Sequence, residues 1–95
     1  MARLPSRPNP NKRKASARFS PEYGILLELL IELRLKAGVT QQQVADKVGK
    51  TQAHISLWER REREIGVVDA CKWCEAVGIG VSEFFTLFEE RIEKL

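Results

Sequence analysis

The stretch Thr40–Arg60, TQQQVADKVGKTQAHISLWER, decides how this chain folds, because it spells two short amphipathic helices joined at a glycine. Thr40 followed three residues later by Gln43 is the capping-box pattern, in which each side chain answers an unpaired backbone N–H of the other residue. The spacing predicts a helix starting there. Val44, Ala45 and Val48 share one side of it, and the small Ala45 lets a neighbouring helix come close. Gly49 ends it, since glycine enters the left-handed region without a Cβ penalty. Thr51 then caps a second helix.

At about 100° per residue, Gln52, Ala53, Ser56, Leu57 and Arg60 of this second helix fall within an arc of roughly 140°. Ile55 and Trp58 point the opposite way and are expected to dock on a core. The outer arc interleaves short side chains with longer hydrogen-bonding ones, so it can lie close against base edges in a DNA groove. An ordinary helical hairpin in a small bundle uses the same caps and the same glycine, and each of these features is weak taken singly.

From about Leu30 to Phe85 the chain resembles the lambda-repressor-like Cro/XRE helix-turn-helix family, through the segments LRLKAGVTQQQVADKVG, TQAHISLWE and CEAVGIGVSEFF. The resemblance implies an all-α fold of five helices, the second and third forming the DNA reader and the third lying in the major groove. It also implies a partly buried ion pair between Arg34 and Glu59 that helps orient the arginine toward a phosphate. Two departures stand out. Where many relatives carry a glycine after the third helix and a capping residue before the fourth, this chain has Arg61 and Gly66, which leaves the geometry of that loop open.

Ninety-five residues suit one small domain, with no room for a separate catalytic or ligand-sensing one. The net charge of +3 hides a sharper pattern. Residues 1–20 carry Arg3, Arg7, Lys12, Arg13, Lys14 and Arg18 and no acid, so the remainder is net −3. Within that remainder, Arg34 to Arg61 is net +4 and residues 66–95 are net −3. Such a molecule is electrically polar, positive where it would face DNA and acidic on the far side.

Residues 1–19 read as a disordered basic arm, with Pro5, Pro8 and Pro10 and no apolar periodicity, ahead of a helix-turn-helix domain over 20–95. Lys12, Arg13, Lys14 and Arg18 either grip phosphates or a minor groove, as arms of some helix-turn-helix proteins do, or merely solubilise the chain. No stretch of signal-peptide length is present. The expected location is therefore the cytoplasm of a bacterium, or of a phage host, with the nucleoid as its site when bound.

Ser20 and Pro21 mark the start of the first helix, as cap and first helical residue. Ile25, Leu26, Leu29, Leu30 and Leu33 surround it more fully than one core-facing stripe needs, which points to extra core, to the last helix or to another chain. Gly38 fits its end. The charged run Arg60 to Ile65 follows the third helix, and Arg60, Arg61 and Arg63 are candidate phosphate contacts there. Cys71 and Cys74 lie three apart on a predicted helix over Val67–Val77. With two Cys and one His, His54, the chain falls short of the four ligands of a structural zinc site, so the two thiols read as small core residues and no metal or cofactor is expected.

The last helix repeats Phe84, Phe88, Ile92 and Leu95, with Phe85 and Leu87 alongside. This either covers the core or joins two copies. We expect a homodimer through Phe84, Phe85, Phe88 and Ile92, with two reader helices about 34 Å apart on an inverted-repeat operator. The chain then reads as a sequence-specific double-stranded-DNA-binding transcriptional regulator, a repressor that occludes a promoter.

Gln52 is the best candidate for pairing with adenine, Ala53 and Leu57 for a thymine methyl, and Ser56 and Arg60 for bases or phosphates. Packing against a neighbouring helix is a nearly equal reading of Leu57. Gln41 would hold a phosphate through its side chain and the start of its helix. Thr51, His54 and Arg61 complete the expected DNA-facing set. The competing readings are an antitoxin, which would add a toxin partner, and an interaction module that has lost DNA binding. One histidine, without carboxylates clustered near it or a glycine-rich phosphate loop, leaves no site for an enzyme.

Overall fold

The computed structural model describes residues 20–95. The arm residues Lys12, Arg13, Lys14 and Arg18, and the expectation of disorder over 1–19, lie outside them. Five α-helices and no strand make up the described part: α1 Pro21–Ala37, α2 Gln41–Val48, α3 Gln52–Glu59, α4 Val67–Val77 and α5 Val81–Ile92. The all-α reading and the order of the helices both hold.

Local chemistry sets the helix starts. The Ser20 hydroxyl accepts from the Tyr23 N–H at 3.0 Å, and Pro21 occupies the first turn. Thr40 and Gln43 form the reciprocal capping box, at 3.0 Å and 2.8 Å. Thr51 accepts from the His54 N–H at 3.1 Å. By contrast, Gly66 and Gly80 precede α4 and α5 without a side-chain cap. The first three helices thus begin on side-chain hydrogen bonds and the last two do not.

Packing then follows from the apolar faces. α2 lies against α3 and α4, while α1 meets α4 and α5. Trp58, Trp73, Phe84, Leu27, Leu29, Leu30, Ile55, Val44 and Cys74 fill the centre. Each such side chain contributes on the order of 1.5 to 3 kcal/mol by leaving water. The indole of Trp73 donates to the Leu30 carbonyl at 3.0 Å, so its one polar group is satisfied inside the core.

The apolar excess on α1 resolves by position. Leu27, Leu29 and Leu30 are buried, whereas Ile25 and Ile31 are half-buried and Leu35 is exposed. Cys74 is buried and Cys71 partly so, both as free thiols. Burial, and then the neighbouring Cys71, push the Cys74 thiol up to about 11, which keeps it protonated and apolar near neutral pH.

One expectation about α5 needs correcting. Phe84 is fully buried in its own core, with its ring against those of Phe85 and Phe88, so it cannot serve a partner without unfolding. Helical spacing had placed it on the same stripe as Phe88 but could not say how deep it sits.

The loop after α3 also takes a definite form. Arg61 donates its N–H to the Trp58 carbonyl at 3.0 Å and Glu62 to the Leu57 carbonyl at 2.9 Å, the paired bonds of a Schellman ending. Arg61 has φ 62°, in the left-handed region where α1, α2 and α4 place Gly38, Gly49 and Gly78. The backbone therefore keeps the turn that a glycine would favour, and a side chain bears the strain.

Candidate nucleic-acid interface

α3 presents the face that its sequence outlines. Ile55 is fully buried and Trp58 nearly so. On the outer side Gln52, Ala53 and Arg60 are exposed, and Ser56 and Leu57 are half-buried. Thr51 is exposed with its hydroxyl committed to the α3 cap. His54 is half-buried on the flank, its ring edge-on to Trp58 with centroids 4.7 Å apart.

Behind this face runs a chain of polar contacts. Arg34 Nε donates to Glu59 Oε2 at 2.6 Å and Arg34 Nη2 to Glu59 Oε1 at 3.0 Å, a bidentate pair with both side chains nearly buried, 12% and 11% exposed. Arg34 Nη1 donates further to the Val39 carbonyl at 3.0 Å. Gln41 Nε2 donates to Glu59 Oε1 at 2.9 Å, and Gln52 Nε2 donates in turn to Gln41 Oε1. Four side chains from α1, α2 and α3 are thereby linked in one line that ends at the exposed amide of Gln52.

The valences matter here. A glutamine amide has two N–H donors and one carbonyl oxygen. With one N–H given to Gln41, Gln52 retains an N–H and its Oε1, the donor and acceptor that pair with adenine in the major groove. Gln41 gives one N–H to Glu59 and its carbonyl oxygen accepts from Gln52, so its side chain ties the start of α2 to both ends of α3. Sequence reasoning placed both glutamines at the face but missed the bond between them. The available signal was that each opens a helix directly after a threonine cap.

Two arginines of the following loop part company. Arg60 is exposed at the end of α3, with Nε 3.4 Å from Glu62 Oε2. Arg61, expected among the DNA-facing residues, lays its guanidinium against Gly24 of α1, with Nη2 4.0 Å from Glu28 Oε2. Arg63 is exposed. Gly24, a lone glycine in an apolar helix, was the sequence signal for that close approach.

Away from these residues, α5 exposes a shallow apolar groove lined by Phe85, Phe88 and Ile92 with Ser82, Thr86 and Glu89. Among the described residues no group of His, Cys, Asp or Glu is placed to hold a metal ion, and no helix is long and apolar enough to cross a membrane.

The fold is shared with solved structures. The wild-type restriction-modification controller protein C.Esp1396I superposes with a TM-score of 0.71 at 22% identity, covering 80% of this chain and 99% of that one. The same controller, solved as a tetramer in complex with its natural 35 base-pair operator, gives 0.68 at 22% identity over 77% of this chain and 96% of the other. At that identity the likeness is one of fold. A search of curated protein sequences finds no match. The family model for helix-turn-helix proteins matches residues 30–84, from the middle of α1 to the first turn of α5. The chain belongs to the helix-turn-helix family of the Cro/C1 type.

Proposed function

We propose that the chain is a transcription regulator that binds double-stranded DNA sequence-specifically, acting as a repressor by covering a promoter. One observation carries this reading: the amide of Gln52 is held at the exposed start of α3 by Gln41, Glu59 and Arg34, with a donor and an acceptor still open. Flexible surface glutamines lose rotamer freedom on binding, and an amide already oriented loses less. Alongside it on the same face of α3, Ala53 and Leu57 would meet a thymine methyl and Ser56 and Arg60 base edges or phosphates. Half-sites should therefore include A·T pairs.

The domain over 20–95 would dimerise through Phe85, Phe88 and Ile92 on α5, setting two α3 helices about one DNA turn apart, roughly 34 Å, on an inverted repeat. The arm over 1–19 would add phosphate contacts through Lys12, Arg13, Lys14 and Arg18. The work is binding, without a chemical step, and belongs in the cytoplasm. A similar fold in a controller protein solved on its operator supports the reading.

Titration of labelled duplexes by fluorescence anisotropy tests it. At moderate salt one duplex should bind at least a hundredfold more tightly than an unrelated one. Deletion of residues 2–18 should weaken both and flatten their salt dependence. Equal affinity for all duplexes would overturn the specific role.

A further inference from the structure

Two locally unfavourable choices meet at one point of the molecule. Arg61 is the one non-glycine residue with positive φ among those described, in a conformation that disfavours any side chain. Gly24 lies within α1, where glycine is a poor helix former. A Cβ on Gly24 would stand 2.5 Å from Arg61 Nη2 and 3.2 Å from Arg61 Cζ, so the guanidinium occupies the slot that the missing side chain leaves. One turn along α1, the Glu28 carboxylate lies 4.0 Å from the same nitrogen. The Ile65 N–H donates to the Tyr23 hydroxyl at 3.1 Å, which ties the loop to α1 a second time. Between these ties runs the segment that carries Arg63, with Arg60 just before it, and both are exposed.

We infer that Arg61 is a positioning residue of the DNA interface: seated over Gly24, it fixes the loop after α3 so that Arg60 and Arg63 stand where the DNA backbone passes the end of the reader helix. The inference rests on the DNA-binding reading above. Its guanidinium lies against α1 although the side chain stays 40% exposed, and its role is to act through its neighbours rather than on a phosphate.

Arg61→Gly and Gly24→Ala separate the possibilities, with Tm and affinity for a mixed-sequence duplex measured for each and for the double variant. Arg61→Gly suits the left-handed turn and Gly24→Ala suits a helix, so neither should lower Tm. Gly24→Ala keeps every charge and displaces only the guanidinium end of Arg61. Each should nevertheless weaken binding to every duplex on the order of fivefold, about one exposed charge contact, and the double variant should be no worse than Arg61→Gly alone. Parental or tighter binding by Gly24→Ala would overturn the inference, since Arg61 would then serve DNA directly or not at all. A parent that binds no duplex at low salt would instead defeat the DNA-binding reading itself, and this role with it.

Discussion

The α2–α3 face and the α5 face of this small protein are built on opposite principles. At α2 and α3 both helices start on threonine caps, and polar side chains are tied to one another from the nearly buried Arg34 out to the exposed Gln52. At α5 the helix begins on an uncapped glycine, and Phe85, Phe88 and Ile92 line a groove open to solvent. Fixed polar groups discriminate between ligands that differ in a donor or an acceptor, because a mismatch leaves them unpaired. Apolar grooves discriminate little and reward any surface that removes them from water. The first face suits reading and the second suits association.

The largest break in this contrast is expected from Glu59→Ala. It leaves Arg34 nearly buried without its bidentate partner and frees Gln41, at a cost on the order of 3 to 5 kcal/mol, so thermal denaturation should shift down by at least about 12 °C. A shift near zero would show that the polar chain holds nothing in place.

Next in size is Ile92→Glu, which puts a charge at the α5 groove. Sedimentation equilibrium should show self-association weakened tenfold or more, about 1.4 kcal/mol, with little change in Tm. A variant that dimerises like its parent would move the interface elsewhere.

The caps sharpen the contrast at smaller scale. Thr51→Ala removes the hydroxyl that accepts from His54 N–H and should cost about 1 kcal/mol by chemical denaturation. Gly66→Ser supplies a cap where none exists, with open space around the new Cβ, and should gain a few tenths of a kcal/mol. A much larger loss at Thr51, or a loss at Gly66, would mean that the two ends differ in more than their caps.

The smallest effect concerns acid. The hydrogen-bonded Arg91 guanidinium holds the Glu32 carboxyl below its ordinary 4.5, and clamps α5 to α1 at 2.9 Å. A lowered folded value means that this contribution is fully present above the ordinary value and is lost as pH falls through the lowered one. Glu32→Gln should therefore remove a small part of the acid-induced loss of stability. An unchanged acid limb would show the clamp to be without weight.

Much of this was legible in the sequence because the signals are local. Thr40, Gly49, Thr51 and Gly78 mark helix ends that depend on residues three or four away, and the α4 bounds Val67–Val77 coincide with those read from the sequence. The division of α3 into a docked back, Ile55 and Trp58, and an exposed front followed from angle alone. Depth did not. Phe84 and Phe88 share a stripe, yet only Phe84 is fully buried, which depends on how whole helices pack. The same holds for Arg61, whose strained turn and long side chain make sense only once α1 brings Gly24 beneath it. The bond from Gln52 to Gln41 likewise depends on the angle at which α2 and α3 meet.

The most direct test selects bound fragments from random duplex DNA with the parent protein and with Gln52→Ala in parallel. The parent should enrich an inverted repeat whose half-sites each contain an A·T pair, and the variant should lose about 1 to 3 kcal/mol of preference at that one pair while keeping the rest. The same enriched site with both proteins, or no enrichment with either, would contradict the account.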